Sequence, residues 1–332
     1  MVYKIALIGA GIIADYHLEA LQELRQKLTP IAIADINEEK ARRLALHYNL
    51  TPYSDYKEMV IKEKPDIVVI ALPHFLHKEA ALWCAQSKCH ILLEKPMALH
   101  KKECEIIIQE AERNSIKLLV GHTQHYLPEN LLVKEMIEAG TFGQLVMIND
   151  TRHLYYFYEN RPDWFFHKEQ SGGGILMNLG AHSIDKIQWL TGSTIAKVKA
   201  SVSYFGNKGD VEGSGVVYLE TSNGIPATIS QSGYPGVPKN ETEIIFSKGM
   251  IKLISGKGVW VSENGEYRQV AIENSSNPFI LQFEDLLESI ENNSEPECSG
   301  TYAKSVIAAI ETIYQSHQSG KELAVELRGD IV

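Results

Sequence analysis

A strand, a glycine-rich turn and a helix follow one another at the start of the chain. The β-rich run Tyr3–Ile8 leads directly into Gly-Ala-Gly-Ile-Ile-Ala at residues 9–14, and an amphipathic stretch continues through Arg25. In this context the first glycine permits a tight turn, the second lets the backbone approach a pyrophosphate, and the alanine keeps helix and strand close. The N–H groups at the start of such a helix attract a diphosphate. The segment therefore predicts a dinucleotide-binding site.

An acidic residue ends the next predicted strand. Residues 31–34 form a short apolar run, and Asp35 follows them. A carboxylate in this position accepts hydrogen bonds from a ribose diol and repels a 2′-phosphate. NAD is therefore the predicted cofactor and NADP the less favoured one, with tolerance of both left open.

Strands and helices continue to alternate as far as residue 120. Helices are predicted at 37–48, 54–63, 77–87 and 100–114, and strands at 66–71, 90–93 and 117–120. This alternation predicts a doubly wound parallel sheet, whose ligands lie at the carboxyl ends of its strands. Polar residues collect at those ends, in Leu72-Pro73-His74, Glu94-Lys95-Pro96 and Gly121-His122-Thr123.

Composition limits the classes of protein and partner. The 332 residues suffice for two domains, and no stretch resembles a membrane span or a cleavable signal. The net charge is −10, without a basic block, which argues against nucleic acid as the main partner. Because the four cysteines show neither metal-ligand spacing nor a disulfide framework, we expect a reducing, cytoplasmic location.

A run of three glycines precedes a predicted helix in the middle of the chain. Gly172 to Gly174 is interpreted as a hinge, after which Asn178, His182 and Asp185 follow at spacings of four and three and share one helical face. The opposite face is predicted to be apolar and buried. Such a helix offers an imidazole to a cleft, although a lone histidine at a helix surface is by itself weak evidence of catalysis.

Aromatic and cationic residues are concentrated just before the glycine run. Aromatic rings stack on the apolar faces of sugars, and arginine binds phosphate or carboxylate in a bidentate manner, so this cluster predicts a substrate wall, with about half of its members expected to serve packing. The histidines at 122, 125, 153, 167 and 182 match no metal-binding spacing, and we predict no metal. The cluster consists of Arg152, His153, Tyr155, Tyr156, Tyr158, Arg161, Trp164, Phe165 and His167.

The order of these motifs resembles one family. The G-x-G-x-x-A turn, the acid after the second strand, Pro73 with His77, Glu94-Lys95-Pro96 and the glycine-rich segment leading to His182 together resemble the Gfo/Idh/MocA oxidoreductases, named for glucose-fructose oxidoreductase and inositol dehydrogenase. The resemblance covers nearly the whole chain, including the turn at 296–300. It implies an α/β protein with two domains.

The resemblance also implies how the two domains are built. Residues 1–122 would form the Rossmann domain, with its doubly wound parallel sheet. Residues 123–332 would form an α+β domain for substrate binding and oligomerisation, with a large, mostly antiparallel, open-faced sheet and a C-terminal helix that is a candidate to pack back on the first domain. Strand-like runs between residues 144 and 269, separated by glycine-rich turns, independently favour such a sheet. In relatives the open face joins subunits, so a homodimer or homotetramer is expected.

The reaction implied by the resemblance is hydride transfer between the nicotinamide and a secondary hydroxyl of a sugar, sugar derivative or inositol. Lys95 matches a lysine that hydrogen-bonds the reacting hydroxyl, and His182 matches a histidine usually assigned as general acid/base; the reverse assignment stays open. Asn178 stands where many relatives have aspartate, so it can orient a partner but cannot stabilise an imidazolium by charge. A redox-neutral NAD-dependent glycosidase or an NAD-binding regulatory protein is the alternative.

Three groups of site residues are thus predicted. The catalytic residues are Lys95, His182 and Asn178. The cofactor-binding residues are Gly9, Gly11, Ile12, Ile13, Asp35, Leu72, Pro73, His77, Glu94 and Lys95. The substrate-binding residues are His122, Arg152, Tyr156, Trp164, Asn178 and Asp185.

Overall fold

The computed structural model describes residues 2–206, 208–273 and 276–327. The chain divides into two compact units. The first comprises residues 1–123 and 276–304, and the second comprises residues 124–275 and 305–332. Among the described residues, no helix combines the length and the apolar character that a membrane crossing requires.

The sheet of the first unit is parallel and has six strands in the order β3-β2-β1-β4-β5-β6. This is the strand order of a doubly wound Rossmann fold, which confirms the predicted fold. The third strand was not predicted, because its three residues form no buried apolar run. The strands are β1 (Tyr3–Ile8), β2 (Leu28–Ala34), β3 (Thr51–Tyr53), β4 (Ile67–Ile70), β5 (His90–Leu93) and β6 (Leu118–Val120).

Five helices in the first 123 residues connect these strands, and side-chain caps fix two of their starts. The Asn37 side chain accepts a hydrogen bond from the Lys40 N–H, and the Asp55 side chain accepts one from the Lys57 N–H. Such caps satisfy N–H groups that the first turn leaves without a partner. The helices are α1 (Ile12–Glu23), α2 (Glu38–Tyr48), α3 (Tyr56–Glu63), α4 (His77–Gln86) and α5 (Lys101–Asn114).

The second unit contains a nine-stranded sheet in the order β14-β13-β12-β11-β7-β10-β9-β8-β15. All neighbouring strands are antiparallel except β7 and β10, which are parallel. The large, mostly antiparallel sheet is thus confirmed. Its strands are β7 (Leu145–His153), β8 (Ile195–Ser203), β9 (Ser214–Thr221), β10 (Pro226–Ser232), β11 (Lys239–Phe246), β12 (Gly249–Ile254), β13 (Gly258–Glu263), β14 (Glu266–Val270) and β15 (Leu323–Ala324).

The two faces of this sheet differ in exposure. Side chains alternate between buried and exposed along β9, as expected where one face packs on a core and the other faces solvent. Val216 and Tyr218 on the open face are 61% and 38% exposed. Among the described residues between 124 and 275, the same unit has three helices: α6 (Pro128–Glu138), which contacts β12 and β13, α7 (Lys168–Ser171) and α8 (Ala181–Thr191).

The glycine run forms a buried cradle for a carboxylate, where the sequence analysis expected a hinge. The Glu212 side chain accepts hydrogen bonds from the backbone N–H groups of Gly174 at 2.7 Å and Leu176 at 2.8 Å, and from the Tyr314 hydroxyl at 2.9 Å. A Cβ on Gly173 would overlap that hydroxyl, and one on Gly174 would overlap the Glu212 carbonyl. Burial raises the pKa of Glu212, and the three donors oppose this. Because Gly173 and Gly174 have no side chain, Tyr314 and Glu212 can approach the backbone of this segment closely.

The segment after the glycines is not the amphipathic helix that the spacing predicts. It begins with a π-helical turn at residues 176–180, and α8 follows. The wider turn shifts Asn178 relative to α8, so the four-and-three spacing does not define one α-helical face. Every residue of α8 from Ser183 to Leu190 is buried. The four-and-three spacing does not predict the structure here, because polar side chains on α8 bind partners inside the second unit, as described below.

Two helices complete the described chain: α9 (Pro278–Glu291) and α10 (Gly300–Ser319). The Asn277 side chain caps α9 by accepting a hydrogen bond from the Phe279 N–H. Within the first unit α9 packs on α1, where the rings of Tyr16 and Phe279 stack with centroids 5.7 Å apart. This contact encloses the side of α1 that carries His17.

Candidate active site

Only glycine fits the first turn of the nucleotide motif. Gly9 has a φ of +101°, and a Cβ there would overlap the carbonyl of Ala71 at the end of β4. Its N–H donates to the Ala34 carbonyl at 2.8 Å, which ties the turn to β2. The carboxyl ends of three neighbouring strands thus meet at this residue.

The second glycine of the motif opens space at the start of α1. Gly11 is the N-cap residue, and no side chain caps the helix. A Cβ on Gly11 would meet no described atom within 4 Å. Here lies a cavity of about 440 Å³, lined by Ala10, Gly11 and Ile12, by the cations Lys40 and Arg43, and by Asp15, Tyr16 and Glu19. Backbone N–H groups at a helix start, with two nearby cations, fit the diphosphate of a dinucleotide.

Asp35 stabilises the glycine-rich turn after β1 and can still accept further hydrogen bonds. Its Oδ2 accepts a hydrogen bond from the Ala10 N–H at 2.8 Å, and its Oδ1 accepts one from the Asn37 N–H at 2.7 Å. A carboxylate oxygen can accept more than one hydrogen bond. Because Asp35 is only partly buried, it can also serve a ribose diol.

His77 holds two strand ends together from a buried position. Its Nδ1 lies 2.9 Å from the Pro96 carbonyl oxygen and its Nε2 lies 2.8 Å from that of Leu72. Burial lowers the pKa of His77, and the two carbonyls and Glu94 act in the opposite direction. Since the side chain is fully buried, its contacts fix the loops after β4 and β5.

A buried acid and histidine support the Glu-Lys-Pro motif. Glu94 Oε1 lies 2.8 Å from His17 Nε2, and Oε2 accepts the Lys95 N–H at 3.2 Å. Burial alone would raise the pKa of Glu94, but the hydrogen bond and charge of His17, together with Lys95, hold that pKa below its usual range. Lys95 is partly exposed, whereas Glu94 and Pro96 are buried. Sequence reasoning missed His17, because nothing in α1 marks it as a partner of Glu94.

A second cavity, of about 510 Å³, lies within the second unit. His182 lines it together with Arg152 and His153 from β7 and Lys239 to Glu241 from β11. Leu179 from the π-helical turn and Lys257 from the turn after β12 also contribute. Two predicted site residues, His182 and Arg152, are therefore brought together.

Arg152 is held from two sides at the wall of this cavity. Its Nε donates to the Asn240 side-chain oxygen at 3.2 Å and its Nη1 to the Leu179 carbonyl at 3.4 Å. Arg152 and Asn240 are directly paired across β7 and β11. The side chain is 7% exposed, and burial lowers its pKa while Asp150 raises it.

A buried ionic network that the sequence analysis missed lies on the same face of β7. Asp150 accepts hydrogen bonds from the Ser183 hydroxyl at 2.6 Å and the Thr242 hydroxyl at 2.7 Å, and it pairs with Lys186 Nζ at 2.8 Å. Burial alone would raise the pKa of Asp150, but the neighbouring cations and donors hold it below its usual range. The period of two along β7 was the available signal, since it places Asp150 beside Arg152.

Asp185, a predicted substrate residue, is engaged inside the second unit. Its Oδ1 lies 2.7 Å from His125 Nε2, and both side chains are fully buried. The His125 ring stacks on Trp189 with centroids 4.8 Å apart. Asp185 does not line the 510 Å³ cavity with His182.

Among the remaining predicted substrate residues, Tyr156, Trp164 and Asn178 do not line that cavity. Tyr156 is 1% exposed, its pKa is raised by burial, and Asn178 hydrogen-bonds its hydroxyl. The Arg161 guanidinium lies 3.9 Å from the centre of the Tyr156 ring. Trp164 stacks on Phe165 with centroids 3.7 Å apart, whereas His122 lies buried in the first unit beside Tyr302. Of the aromatic residues of the cluster, Tyr156 is buried, Trp164 and Phe165 are half-buried, and Tyr155 and Tyr158 are exposed.

A Rossmann nucleotide unit joined in one chain to a unit with an open, mostly antiparallel sheet is the organisation of two-domain NAD(P)-dependent oxidoreductases. Family models agree with this class. Residues 3–122 match the model of the oxidoreductase family with an NAD-binding Rossmann fold, and residues 131–252 match the GFO/IDH/MocA C-terminal domain. The chain belongs to the Gfo/Idh/MocA oxidoreductase family.

Individual relatives are distant. The chain is 24% identical over 310 residues to an inositol 2-dehydrogenase/D-chiro-inositol 3-dehydrogenase of Lactiplantibacillus plantarum, covering 89% of this chain and 85% of the relative. It is 25% identical over 222 residues to a 2,7-anhydro-N-acetylneuraminate hydratase of Escherichia coli, covering 65% and 58%. A levoglucosan dehydrogenase in complex with NADH has the same fold, with a TM-score of 0.90, 20% identity and coverage of 98% and 100%.

Proposed function

We propose that this protein transfers a hydride between NAD and a secondary hydroxyl of a sugar, a sugar derivative or an inositol. The observation that carries the proposal is His182 at the wall of a polar cavity of about 510 Å³, in a chain whose other unit has a dinucleotide fold. The volume suits a sugar ring with its substituents. Family membership and the dehydrogenase names of relatives support the same reaction class.

The residues of the first unit fit the proposed cofactor. The N–H groups at the start of α1 would hold the diphosphate, and Asp35 would accept the ribose hydroxyls, which favours NAD. Lys40 and Arg43 line the same cavity, so use of NADP is tested beside NAD. Ile12 and Ile13 at the start of α1, and Leu72 and Pro73 in the loop after β4 that His77 fixes, are proposed to contact the cofactor. When bound, the nicotinamide supplies the hydride acceptor or donor.

The protonation step is assigned to two side chains, Lys95 and His182. Lys95, whose backbone Glu94 positions, would donate a hydrogen bond to the oxygen of the reacting hydroxyl. His182 would accept the proton as that hydroxyl is oxidised and return it in the reverse direction. Asn178 would act through orientation, since an amide carries no charge and its side chain already hydrogen-bonds Tyr156.

A substrate screen tests the proposed reaction. Polyols, sugars, inositols and sugar phosphates are incubated with the protein and either NAD or NADP, and the absorbance of the reduced nicotinamide is followed. We expect at least one compound to give reduced cofactor, with a higher kcat/KM for NAD. If every compound leaves the absorbance unchanged while NAD binds tightly, the dehydrogenase proposal is contradicted.

A redox-neutral reaction is the second candidate, and one relative favours it. The Escherichia coli protein named above is named as a hydratase of an anhydro sugar, and net addition of water changes no oxidation state. Such an enzyme would keep its NAD bound and release product without net reduction of the cofactor. Aryl glycosides and anhydro sugars, analysed for released leaving group or hydrated product, distinguish this candidate from the first.

The two glycines of the turn predict separate outcomes. Gly11→Ala should leave the free energy of unfolding within about 1 kcal/mol, because the new Cβ enters open space, but should weaken NAD binding at least about tenfold. Gly9→Ala is the contrasting variant and should lose about 2–4 kcal/mol, since its backbone is left-handed and its Cβ meets Ala71. Urea unfolding and NAD titration measure both, and unchanged NAD affinity in Gly11→Ala would contradict the cofactor site.

Self-association through the open sheet face is also proposed. Val216 and Tyr218 leave apolar surface on the open face of β9, and a second copy of the chain would cover it. A homodimer or homotetramer is the expected form. Light scattering should give a molar mass at least about twice that of one chain, whereas a single-chain mass at micromolar concentration would contradict the proposal. The four cysteines are buried thiols, in keeping with the proposed cytoplasmic location.

A further inference from the structure

The cavity of the second unit is cationic, although the whole chain is acidic. Arg152, Lys239 and Lys257 line it against a single carboxylate, Glu241, in the part of the chain that the structure describes. Lys239 lies 3.6 Å from Glu241, so that acid is already paired. The chain as a whole carries a net charge of −10. A local excess of positive charge in such a protein is a specific feature of the cavity.

Arg152 is the most deeply placed of these cations, and its two described partners are neutral. The Asn240 side-chain oxygen and the Leu179 carbonyl occupy Nε and Nη1 at 3.2 and 3.4 Å. Among the described residues, none accepts a hydrogen bond from Nη2. These partners hold the plane of the guanidinium group without neutralising its charge. The N–H groups of Arg152 are therefore oriented to bind a planar or tetrahedral anion.

The carboxylate nearest to Arg152 along β7 is committed elsewhere. Asp150 is buried, pairs with Lys186 at 2.8 Å and accepts hydrogen bonds from Ser183 and Thr242. Asp150 therefore serves two buried cations, Lys186 and Arg152, while Asp185 also acts on Lys186. A buried charge without a counter-ion is costly, so an anionic ligand at Arg152 would complete the balance.

We infer that this cavity binds the anionic group of an acidic sugar or polyol, a carboxylate or a phosphate, with Arg152 as its main contact and Lys257 at the rim. The inference rests on the proposed function only in taking the cavity as the substrate site. Arg152 then determines specificity, by favouring acidic substrates over their neutral counterparts.

Matched pairs of ligands test this charge preference without requiring turnover. D-glucuronate is compared with D-glucose, D-gluconate with D-glucitol, and D-glucose 6-phosphate with D-glucose, by isothermal titration of the NAD-loaded protein. The first two pairs report a carboxylate and the third a phosphate. Inorganic phosphate is titrated as well, because it carries the charge without the sugar. At least one anion should bind about tenfold or more tightly than its neutral partner, and this preference should shrink as salt is raised.

Single substitutions show which side chains cause the preference for anionic ligands. Arg152→Gln should reduce affinity for the preferred anion about 10- to 100-fold and leave neutral ligands within about twofold. Arg152→Lys should recover part of the loss, since charge returns without the fork. Lys257→Gln, at an exposed position that folding tolerates, should cost about two- to fivefold. Lys252→Gln removes a charge from the same unit outside the cavity, and it should have no effect.

The outcomes test the inferred anion site independently of the proposed dehydrogenase reaction. If no anion binds better than its neutral partner, or if Arg152→Gln and Lys257→Gln both keep the preference, the inference is overturned even when the screen finds a substrate. If the preference exists and depends on these residues while no reduced cofactor forms in the screen, the inference stands and the dehydrogenase proposal fails.

Discussion

Lys95→Ala is expected to lower kcat/KM by about 10³-fold or more while NAD affinity stays within about threefold. The physical reason is the position of this side chain. Its neighbours on either side are buried, and its backbone N–H is fastened by Glu94, so the lysine leaves a rigid loop with a defined starting point. Loss of the ammonium group removes the hydrogen bond that would stabilise negative charge developing on the substrate oxygen.

The measurement is steady-state kinetics on the best substrate of the screen, with NAD affinity determined by titration. Lys102→Ala is the matched control, because it removes an exposed lysine seven residues further along the chain. That control should behave as the unmodified protein. A Lys95→Ala variant that keeps most of its activity would remove Lys95 from the mechanism.

His182→Asn should reduce kcat/KM by about 10²- to 10⁴-fold and change the shape of its pH dependence. If His182 is the base, the variant loses the limb of the profile that reports deprotonation of the base. If Lys95 is the base, that limb is lost in Lys95→Ala and kept in His182→Asn. The pair of profiles therefore resolves the assignment that the sequence leaves open.

His167→Asn is the control for this substitution. His167 lies in the same sequence region, but it pairs with Asp163 at 2.8 Å and is outside the 510 Å³ cavity. Its kinetics and pH profile should match those of the unmodified protein. If His167→Asn lowers the rate as strongly as His182→Asn does, the effect reflects general damage to the second unit, and the assignment of His182 is not supported.

The structure of the first unit could be predicted from short sequence segments, because the residues of each motif are close together in the sequence. Gly9 and Gly11 lie within one turn, and the close approach at Ala71 and the open space at Gly11 are what those glycines predict. Asp35 follows its strand directly and bonds to the turn. Where a motif is a single strand-turn-helix unit, backbone geometry allows few other conformations, and residue spacing is sufficient to predict its structure.

The second unit depended on contacts between residues far apart in the sequence. Helical spacing grouped Asn178, His182 and Asp185, but a π-helical turn separates the first from the others and His125 engages Asp185, 60 residues away. The glycine run was interpreted as a hinge because its partner, Glu212, lies 38 residues beyond Gly174. No pattern of spacing reports such pairings.

The sequence alone determined the nucleotide fold and the polar residues at its strand ends, since each belongs to a short segment with a fixed local geometry. Only the tertiary structure decided which polar side chains are free to meet a ligand. Pairing of β7 with β11 placed Asn240 on Arg152, and α8 placed Lys186 on Asp150. Burial makes unpaired charge costly, so these long-range partners, rather than residue type, determine which groups line a cavity and which hold the core together.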